Sequence, residues 1–312
     1  MLHVRREIRE FIGQGDTMRD SRDNRFLIGE CLLELKRNVW NSLAFTPENW
    51  DEIGFSVFSQ SNEDGLIQYL INHIDIPNKT FVEFGVENYL ESNTRFLLLH
   101  NNWSGLIMDG SKENMEYVKR DDICWKHDLE AVSAFITKDN INDLISSRGF
   151  DEEVGILSVD IDGNDYWVWD AINCIRPYIV ICEFNPIFGS NTTVSIPYKP
   201  DFYRLDVHFS GLYWGASLGA YVQLGKKKGY KLVCINQLGH NVFFVREDIE
   251  CSLPEVPINL AYREAKYRES FDEKGRWTFL SHREGLELIG DKEVVDVTDG
   301  KLKKIRDCNI EF

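Results

Sequence analysis

The sequence is poor in the features that mark secreted, membrane-embedded and nucleic-acid-binding proteins. Its seven cysteines are scattered and form no C-x-x-C pair, which argues against a zinc knuckle or a disulfide framework and favours a reducing compartment. No apolar run approaches the roughly 20 residues that a transmembrane helix needs. The formal net charge is −16, so the chain lacks the basic surface with which proteins bind nucleic acids or anionic membranes.

The amino-terminal stretch "MLHVRREIREFIGQG" also lacks the apolar centre of a signal peptide. We therefore expect a cytoplasmic protein without a membrane span. With 312 residues, of which 43% are hydrophobic, the chain is long enough to bury one large core with appendages. The sequence does not determine the oligomeric state, and a homo-oligomer is one of the possibilities.

What the sequence does contain is a repeated alternation of short apolar runs and amphipathic segments from residue 79 onward. Runs of four to eight apolar residues bounded by polar turns predict buried strands, and the longer segments between them predict helices. Such an alternation is typical of a parallel sheet with helices on both faces. The five predicted strands are "TFVEFGV", "SGLIMDG", "DICWKHD", "VGILSVD" and "PYIVICEFN".

Two further strands follow the helix "ASLGAYVQLGKKK". They are "YKLVCIN" and "NVFFVRE", and only "QLGH" separates them, which predicts an antiparallel hairpin. A parallel sheet that ends in such a hairpin is typical of class I S-adenosylmethionine-dependent methyltransferases. The predicted fold class is thus α/β: a doubly wound, mostly parallel, Rossmann-like sheet of seven strands with a terminal antiparallel hairpin.

Segments at both ends of the chain are predicted to be helical extensions. We place an amino-terminal extension at residues 1–75, the methyltransferase-like domain at 76–250 and a carboxy-terminal extension at 251–312. Apolar residues at helical spacing predict helices over "RFLIGECLLELKRNVW" and "NEDGLIQYLINHI", and the segment "AYREAKYRESFDEKGRW" is predicted to be helical as well.

The first strand ends in a turn that does not suit a dinucleotide. The glycine signature G-x-G-x-x-G is absent after Gly85, and a turn carrying Glu83, Glu87 and Glu91 would repel a pyrophosphate. The same turn suits a ligand with an ammonium and a sulfonium group. Asp109, at the end of the second strand, is placed to accept hydrogen bonds from ribose hydroxyls. A turn with surface acids and a helix-capping Asp109 is the alternative.

Several stretches resemble FkbM-type and related sugar O-methyltransferases: "FVEFGVENYLESNT", "GLIMDGS" and "LSVDIDGNDYWVWDAI". Others, such as "VICEFNPIFG" and "GHNVFFVRED", resemble methyltransferase-like proteins of bacterial surface-glycan clusters. The resemblance spans about residues 55–248 and implies the class I fold, S-adenosyl-L-methionine as cofactor and methyl transfer. We predict as cofactor-binding residues Glu83, Gly85, Glu87, Asn88, Thr94, Asp109, Ser111 and Asp128.

Acidic and amide side chains crowd the ends of the fourth and fifth strands. Neighbouring parallel strands bring such ends into one cleft, and oxygen ligands of this kind suit Mg²⁺. Macrocin-type sugar O-methyltransferases carry a similar "IDGD-x-Y" segment, which implies Mg²⁺ near the acceptor hydroxyls. The candidate metal ligands are Asp160, Asp162, Asn164, Glu183 and Asn185.

Three interpretations of this cluster stay open. A metal could lower the pKa of an acceptor hydroxyl, or Asp160 or Asp162 could act directly as the general base. The third is structural: the group caps the helix that follows, and for Asp165 alone capping is the favoured interpretation.

The long connection after the fifth strand is rich in aromatic residues, and long loops at the ligand end of a sheet are commonly binding loops. It suggests a sugar-like small molecule or glycan precursor as the acceptor. The candidate acceptor residues are Tyr198, Tyr203, His208, Tyr213 and Trp214. His208 is the best histidine candidate for a catalytic base, beside Asp160 and Asp162, although a structural histidine is the favoured interpretation.

Three rival functions remain at this stage. "DID" resembles the D-x-D motif with which glycosyltransferases hold Mn²⁺ and a nucleotide sugar, although the acidic first turn and the terminal hairpin speak against it. The altered "VENY" turn suggests a non-catalytic protein that kept the fold. An NAD-dependent oxidoreductase is disfavoured because the glycine signature is missing.

Overall fold

The computed structural model describes the backbone of residues 2–311 and the side chains of residues 21–311. Its centre is a sheet of seven strands, whose residues are almost all buried because helices cover both faces. In chain order these strands are β1 (Thr80–Phe84), β2 (Ser104–Asp109), β3 (Leu129–Ser133), β4 (Ile156–Val159), β5 (Ile179–Glu183), β7 (Tyr230–Ile235) and β8 (Asn241–Arg246). The sixth strand of the chain, β6, belongs to a second, smaller sheet that is described below.

The strands lie side by side in the order β3-β2-β1-β4-β5-β8-β7. The first five are parallel, whereas β8 runs antiparallel to both β5 and β7. This is the strand order of the class I methyltransferase fold, and the predicted fold class is confirmed. The chain reverses direction across the sheet between β1 and β4, so the carboxyl ends of these two strands border the crevice where ligands bind in open α/β sheets.

Twelve helices accompany the strands within the described residues. Of these, none is both long and apolar enough to cross a membrane. They are α1 (Leu2–Trp40), α2 (Trp50–Ile53), α3 (Glu63–His73), α4 (Arg95–Asn101), α5 (Lys112–Arg120), α6 (Ile123–Lys126), α7 (Ile141–Ser146), α8 (Asp165–Ala171), α9 (Arg204–Val207), α10 (Leu218–Lys228), α11 (Ile258–Ala261) and α12 (His282–Ile289).

Two sequence-based assignments are wrong. The predicted third strand, "DICWKHD", contains the helix α6, and the strand is the less apolar segment that follows, Leu129–Ser133. Most of the predicted carboxy-terminal helix "AYREAKYRESFDEKGRW" is irregular, with a single isolated bridge between Phe271 and Trp277. Neither segment has a clear hydrophobic period, so the sequence pattern does not identify its secondary structure.

A second, smaller sheet joins the connection after β5 to the end of the chain. It has the order β10-β9-β6, formed by β6 (Val194–Ser195), β9 (Glu293–Asp296) and β10 (Leu302–Lys304). It encloses its own apolar cluster, which includes Phe188, Trp214 and Val294. This sheet therefore spans the boundary at residue 250 that was predicted from the sequence. The amino-terminal helices pack into the main core.

Candidate active site

Gly85 occupies the tightest point of the turn after β1. Its φ angle is +70°, and a Cβ built there would lie 1.5 Å from the backbone oxygen of Asp160. Its N–H donates to the carbonyl of Met108 over 2.9 Å. Glycine is required here for two reasons, a left-handed backbone and close contact with the end of β4. The turn predicted to bind the cofactor therefore touches the strand end that carries the acidic cluster.

Glu83 supports this turn from inside. One carboxylate oxygen accepts the N–H of Asn93 over 2.8 Å, and the other accepts the N–H and the hydroxyl of Thr94. Burial raises the pKa of Glu83 to about 7, although these hydrogen bonds oppose the shift. Thr94 is fully buried as well. Both residues, which we predicted to bind the cofactor, are placed to hold the start of α4.

Asp109 joins two turns at the rim of the sheet. One of its carboxylate oxygens accepts the N–H of Glu87 over 2.8 Å, and the other accepts the N–H of Ser111 over 2.7 Å. Ser111 itself caps α5 by accepting the N–H of Asn114. The side chain of Asn88 accepts the N–H of Leu90. Gly85, Glu87, Asn88 and Asp109 remain accessible to solvent along this rim, so the structure brings these predicted cofactor residues together.

Asp128 does not belong to this group, and its assignment to the cofactor is incorrect. It precedes β3, and its carbonyl accepts the N–H of Gly105 at the start of β2. Both positions are at the amino ends of their strands, on the edge of the sheet opposite Asp109. The error follows from the misplaced third strand, which put Asp128 at the wrong end.

Asp165 closes the loop between β4 and α8. Its two carboxylate oxygens accept the N–H groups of Ile161 over 2.6 Å and Gly163 over 2.8 Å. The side chain is fully buried, and burial raises its pKa to about 7. Asp165 thus has a structural role, but it does not cap α8 as predicted: it is the first residue of that helix, and the N–H groups that it binds precede the helix.

Asp160 and Glu183 form the chemically distinctive part of the site. They follow and end the neighbouring strands β4 and β5. Burial raises the pKa of each well above its ordinary value, and the carboxylates of Asp160, Asp162 and Asp165 raise that of Glu183 further. The Oε2 atom of Glu183 is buried without a hydrogen-bond partner. Two carboxyl groups so placed can share a proton.

The other members of the predicted metal set have different partners. Asp162, at a φ of +56°, is exposed and accepts a hydrogen bond from Arg204 over 2.9 Å. Asn185 donates to the carbonyls of Leu212 and Trp214 and accepts the N–H of Ile187.

Asn164 donates to the carbonyl of Lys199, and its buried oxygen has no partner. Within the part of the chain that the structure describes, no group of three or more His, Cys, Asp or Glu side chains is arranged to hold a metal ion. The five predicted ligands therefore lie at the ends of two neighbouring strands, but they are not assembled as a coordination sphere.

His208 and two of the aromatic candidates face the smaller sheet. The Nδ1 atom of His208 is 2.7 Å from the hydroxyl of Ser210, and burial together with Lys292 lowers its pKa. Tyr213 and Trp214 are buried in the second apolar cluster. Tyr203, by contrast, is 58% exposed. Of the predicted acceptor residues, Tyr203 is exposed, Tyr198 and His208 are half-buried, and Tyr213 and Trp214 are buried.

Sequence reasoning missed the residues that cover the acidic pair. Tyr267, from the carboxy-terminal segment, lies close enough to Glu183 and Asp160 that their charges, added to burial, raise the pKa of its hydroxyl. Its ring meets that of buried His240 edge-on at 5.3 Å. Asn241 pairs with Glu183 across the sheet and donates to Glu63. No local pattern marks these residues, because each reaches the site through a contact distant in sequence.

Comparison with known proteins adds little beyond the fold. No family model matches the chain, and no curated protein matches it. Solved structures with similar folds include the N-terminal domain of EvdMO1 with SAH bound, at 9% identity and a TM-score of 0.38, covering 68% of this chain and 95% of that one. An O-methyltransferase from Bacillus cereus in complex with SAH has 13% identity and a TM-score of 0.39, covering 69% and 90%. Likenesses at this level carry no argument about activity.

Proposed function

We propose that this protein is an S-adenosylmethionine-dependent methyltransferase that methylates a hydroxyl oxygen of a sugar or glycan precursor. The observation that carries the proposal is the direct contact between two parts of the site. The turn at Gly85 lies against the backbone of Asp160, so the proposed methyl donor and the proposed proton acceptor would be neighbours. Alignment of donor and acceptor supplies much of the acceleration in a displacement at carbon.

The rim between β1 and β2 fits the cofactor. Asp109 is held by two backbone N–H groups, one on each oxygen, and a carboxylate oxygen has further lone pairs for ribose hydroxyls. Glu87 is exposed beside it and adds negative charge for a ligand that carries a sulfonium and an ammonium group. When bound, S-adenosylmethionine supplies an electrophilic methyl group. Gly85, Glu87, Asn88 and Asp109 are the residues that would hold it.

Asp160 is assigned the role of general base. Its pKa is raised by burial and by the neighbouring carboxylates, which makes it a stronger base than an exposed aspartate. Asp160 would accept the proton of the acceptor hydroxyl as that oxygen gains the methyl group, which the bound cofactor would supply while leaving as an uncharged thioether. Glu183 shares that proton, which limits the accumulation of charge in a buried site. Of the mechanisms left open by the sequence, this one uses the side chains as they are arranged.

A titration experiment tests the cofactor first. S-adenosylhomocysteine is titrated calorimetrically into the wild type, into Asp109→Ala and into Asp128→Ala, which removes the same charge at the opposite edge of the sheet. We expect micromolar binding that weakens about tenfold or more in Asp109→Ala, since hydrogen bonds to a charged group are lost, and is unchanged in Asp128→Ala. Equal affinities in all three proteins would contradict the proposal.

Methyl transfer is then measured with radiolabelled S-adenosylmethionine and a panel of free hexoses and nucleotide sugars. Asp160→Asn should lose turnover while S-adenosylhomocysteine still binds, because the amide cannot accept the proton. Chelation of divalent metal should leave the rate unchanged. Binding of UDP only with Mn²⁺, without any binding of S-adenosylhomocysteine, would support the glycosyltransferase interpretation instead.

A further inference from the structure

A separate cavity of about 160 Å³ lies between α1, α4 and α6, outside the site described above. Apolar side chains form much of its wall, and Arg95, at the start of α4, lines it as well. Arg95 is only 5% exposed. A buried guanidinium is costly unless a negative group compensates it, so the partners of Arg95 decide what this cavity is for.

The groups that Arg95 contacts directly in residues 21–311 are all uncharged, and the charge of the more distant Asp121 is opposed by that of Arg22. One terminal nitrogen donates to the carbonyl of Tyr89 over 2.7 Å, and the guanidinium carbon lies 5.2 Å from the ring centre of Phe58 and 5.6 Å from that of Tyr89. These contacts compensate part of the charge. The Nε atom, however, is buried and has no hydrogen-bond partner. Burial also lowers the pKa of Arg95.

His127 offers a second buried nitrogen in the same cavity. Its Nδ1 atom has no hydrogen-bond partner. Burial and the nearby cations Lys126 and Arg95 lower its pKa, so the ring is neutral at physiological pH. A neutral imidazole carries its proton on either nitrogen, and Nδ1 is therefore available as a donor.

The other charged residues around the cavity have their own ion pairs or lie at its mouth. Arg22 pairs with Asp121, and Lys126 pairs with Asp122 over 2.6 Å. Asp23 is exposed to solvent. Among the buried cations around the cavity, Arg95 is thus one that forms no ion pair of its own within residues 21–311.

We propose that this cavity binds a small oxyanion, a phosphate or a carboxylate group, which accepts hydrogen bonds from Arg95 Nε and His127 Nδ1. The oxygens of such an anion would complete the hydrogen bonding of both nitrogens, and its charge would neutralise the buried guanidinium. The apolar wall, including Phe26 and Leu99, suits the carbon skeleton of a small organic phosphate or carboxylic acid.

Calorimetric titration with inorganic phosphate and with acetate, at ionic strength held constant with chloride, tests the proposal. The wild type should bind at least one of the two saturably, and the tighter of them identifies the kind of anion. Arg95→Gln should weaken that binding about tenfold or more, since a charge-assisted hydrogen bond is lost. Arg120→Gln removes an exposed arginine that pairs with Glu116 and should bind as the wild type does.

If Arg95→Gln does not fold, Leu99→Trp tests whether the anion binds in this cavity. It retains the guanidinium and fills the cavity, so binding should disappear while the circular dichroism spectrum stays that of the wild type. Binding that survives in both Leu99→Trp and a folded Arg95→Gln would overturn the proposal. So would the absence of saturable binding of either anion to the wild type.

Discussion

At the scale of single residues, Gly85 leaves the least room for a side chain among the glycines that the structure describes. Gly85→Ala would combine a left-handed backbone with a clash against the carbonyl of Asp160. We expect the free energy of unfolding to fall by about 2–4 kcal/mol. Urea denaturation of the purified variant measures this loss.

Gly300→Ala is the matched control for that measurement. Gly300 has a φ of +73°, nearly the same as Gly85, but no atom lies within 4 Å of the Cβ that would be added. It should lose only about 1 kcal/mol, the cost of the backbone conformation. If the two variants lose the same amount, the contact between the first turn and the end of β4 is not as close as described.

At the scale of elements, Arg204 connects three loops beside the acidic pair Asp160 and Glu183. Its guanidinium pairs with Asp162 after β4, donates to the carbonyl of Gly211 in the long connection, and lies 3.7 Å from Glu269 of the carboxy-terminal segment. The side chain also packs 5.2 Å from the ring centre of Trp214. A planar group with five N–H donors is suited to such a junction, which a lysine cannot reproduce.

A double-mutant cycle between Arg204 and Asp162 tests this junction. Arg204→Gln should cost about 2 kcal/mol because it also loses Gly211 and Trp214, whereas the coupling to Asp162 should be about 0.5–1 kcal/mol, since Asp162 is exposed. Chemical denaturation of the wild type, the two single variants and the double variant gives both the cost of Arg204→Gln and the coupling energy. Arg283→Gln, in an exposed pair with Glu287 on α12, should change stability by less than about 0.5 kcal/mol. A coupling of zero would mean that the pair does not hold the loop.

At the scale of the whole molecule, buried carboxyl groups make stability depend on pH. Burial raises the pKa of Asp64 to about 6 and those of Glu83 and Asp165 to about 7. Between the ordinary and the raised pKa, the folded chain holds a proton that the unfolded chain has released. Stability contributed by these groups therefore falls as pH rises from about 4.5 to about 7.5.

Glu83→Gln isolates one of these groups. The difference in unfolding free energy between wild type and variant should shift against the wild type by on the order of 3 kcal/mol over that range of pH. Thermal and urea denaturation at several pH values provide the measurement. Glu91→Gln, an exposed position in the same turn, should follow the wild type at each pH. A constant difference for Glu83→Gln would show that its carboxyl group is not buried as described.

The sequence predicted those features that depend on neighbours along the chain. Strands β1, β2, β4 and β5 are predominantly apolar, so their ends, and with them Asp109 and Asp160, could be located. A structural role for Asp165 could be anticipated because the N–H groups that it binds are only two and four residues before it, although the sequence suggested a helix cap and the structure shows a loop closure instead. The strand β3, "LEAVS", is too weakly apolar to be recognised beside the more apolar "ICW".

The sequence could not predict contacts that only the folded chain creates. Glu83 reaches Asn93 and Thr94 through the turn that it supports, and from the sequence alone its position favours a ligand equally well. Arg204 and Tyr267 come to the acidic pair from segments without a regular pattern. Their roles follow from the second sheet, in which a two-residue strand pairs with one about a hundred residues later.

That pairing has a consequence for the order in which the protein matures during synthesis. All strands of the large sheet have been made once residue 246 has left the ribosome, and domains form from the amino terminus onward. The partner of β6, however, is β9, which is translated later. A nascent chain can thus form the rim that carries Gly85 and Asp109 before the strands β9 and β10, which complete the smaller sheet, have been synthesised.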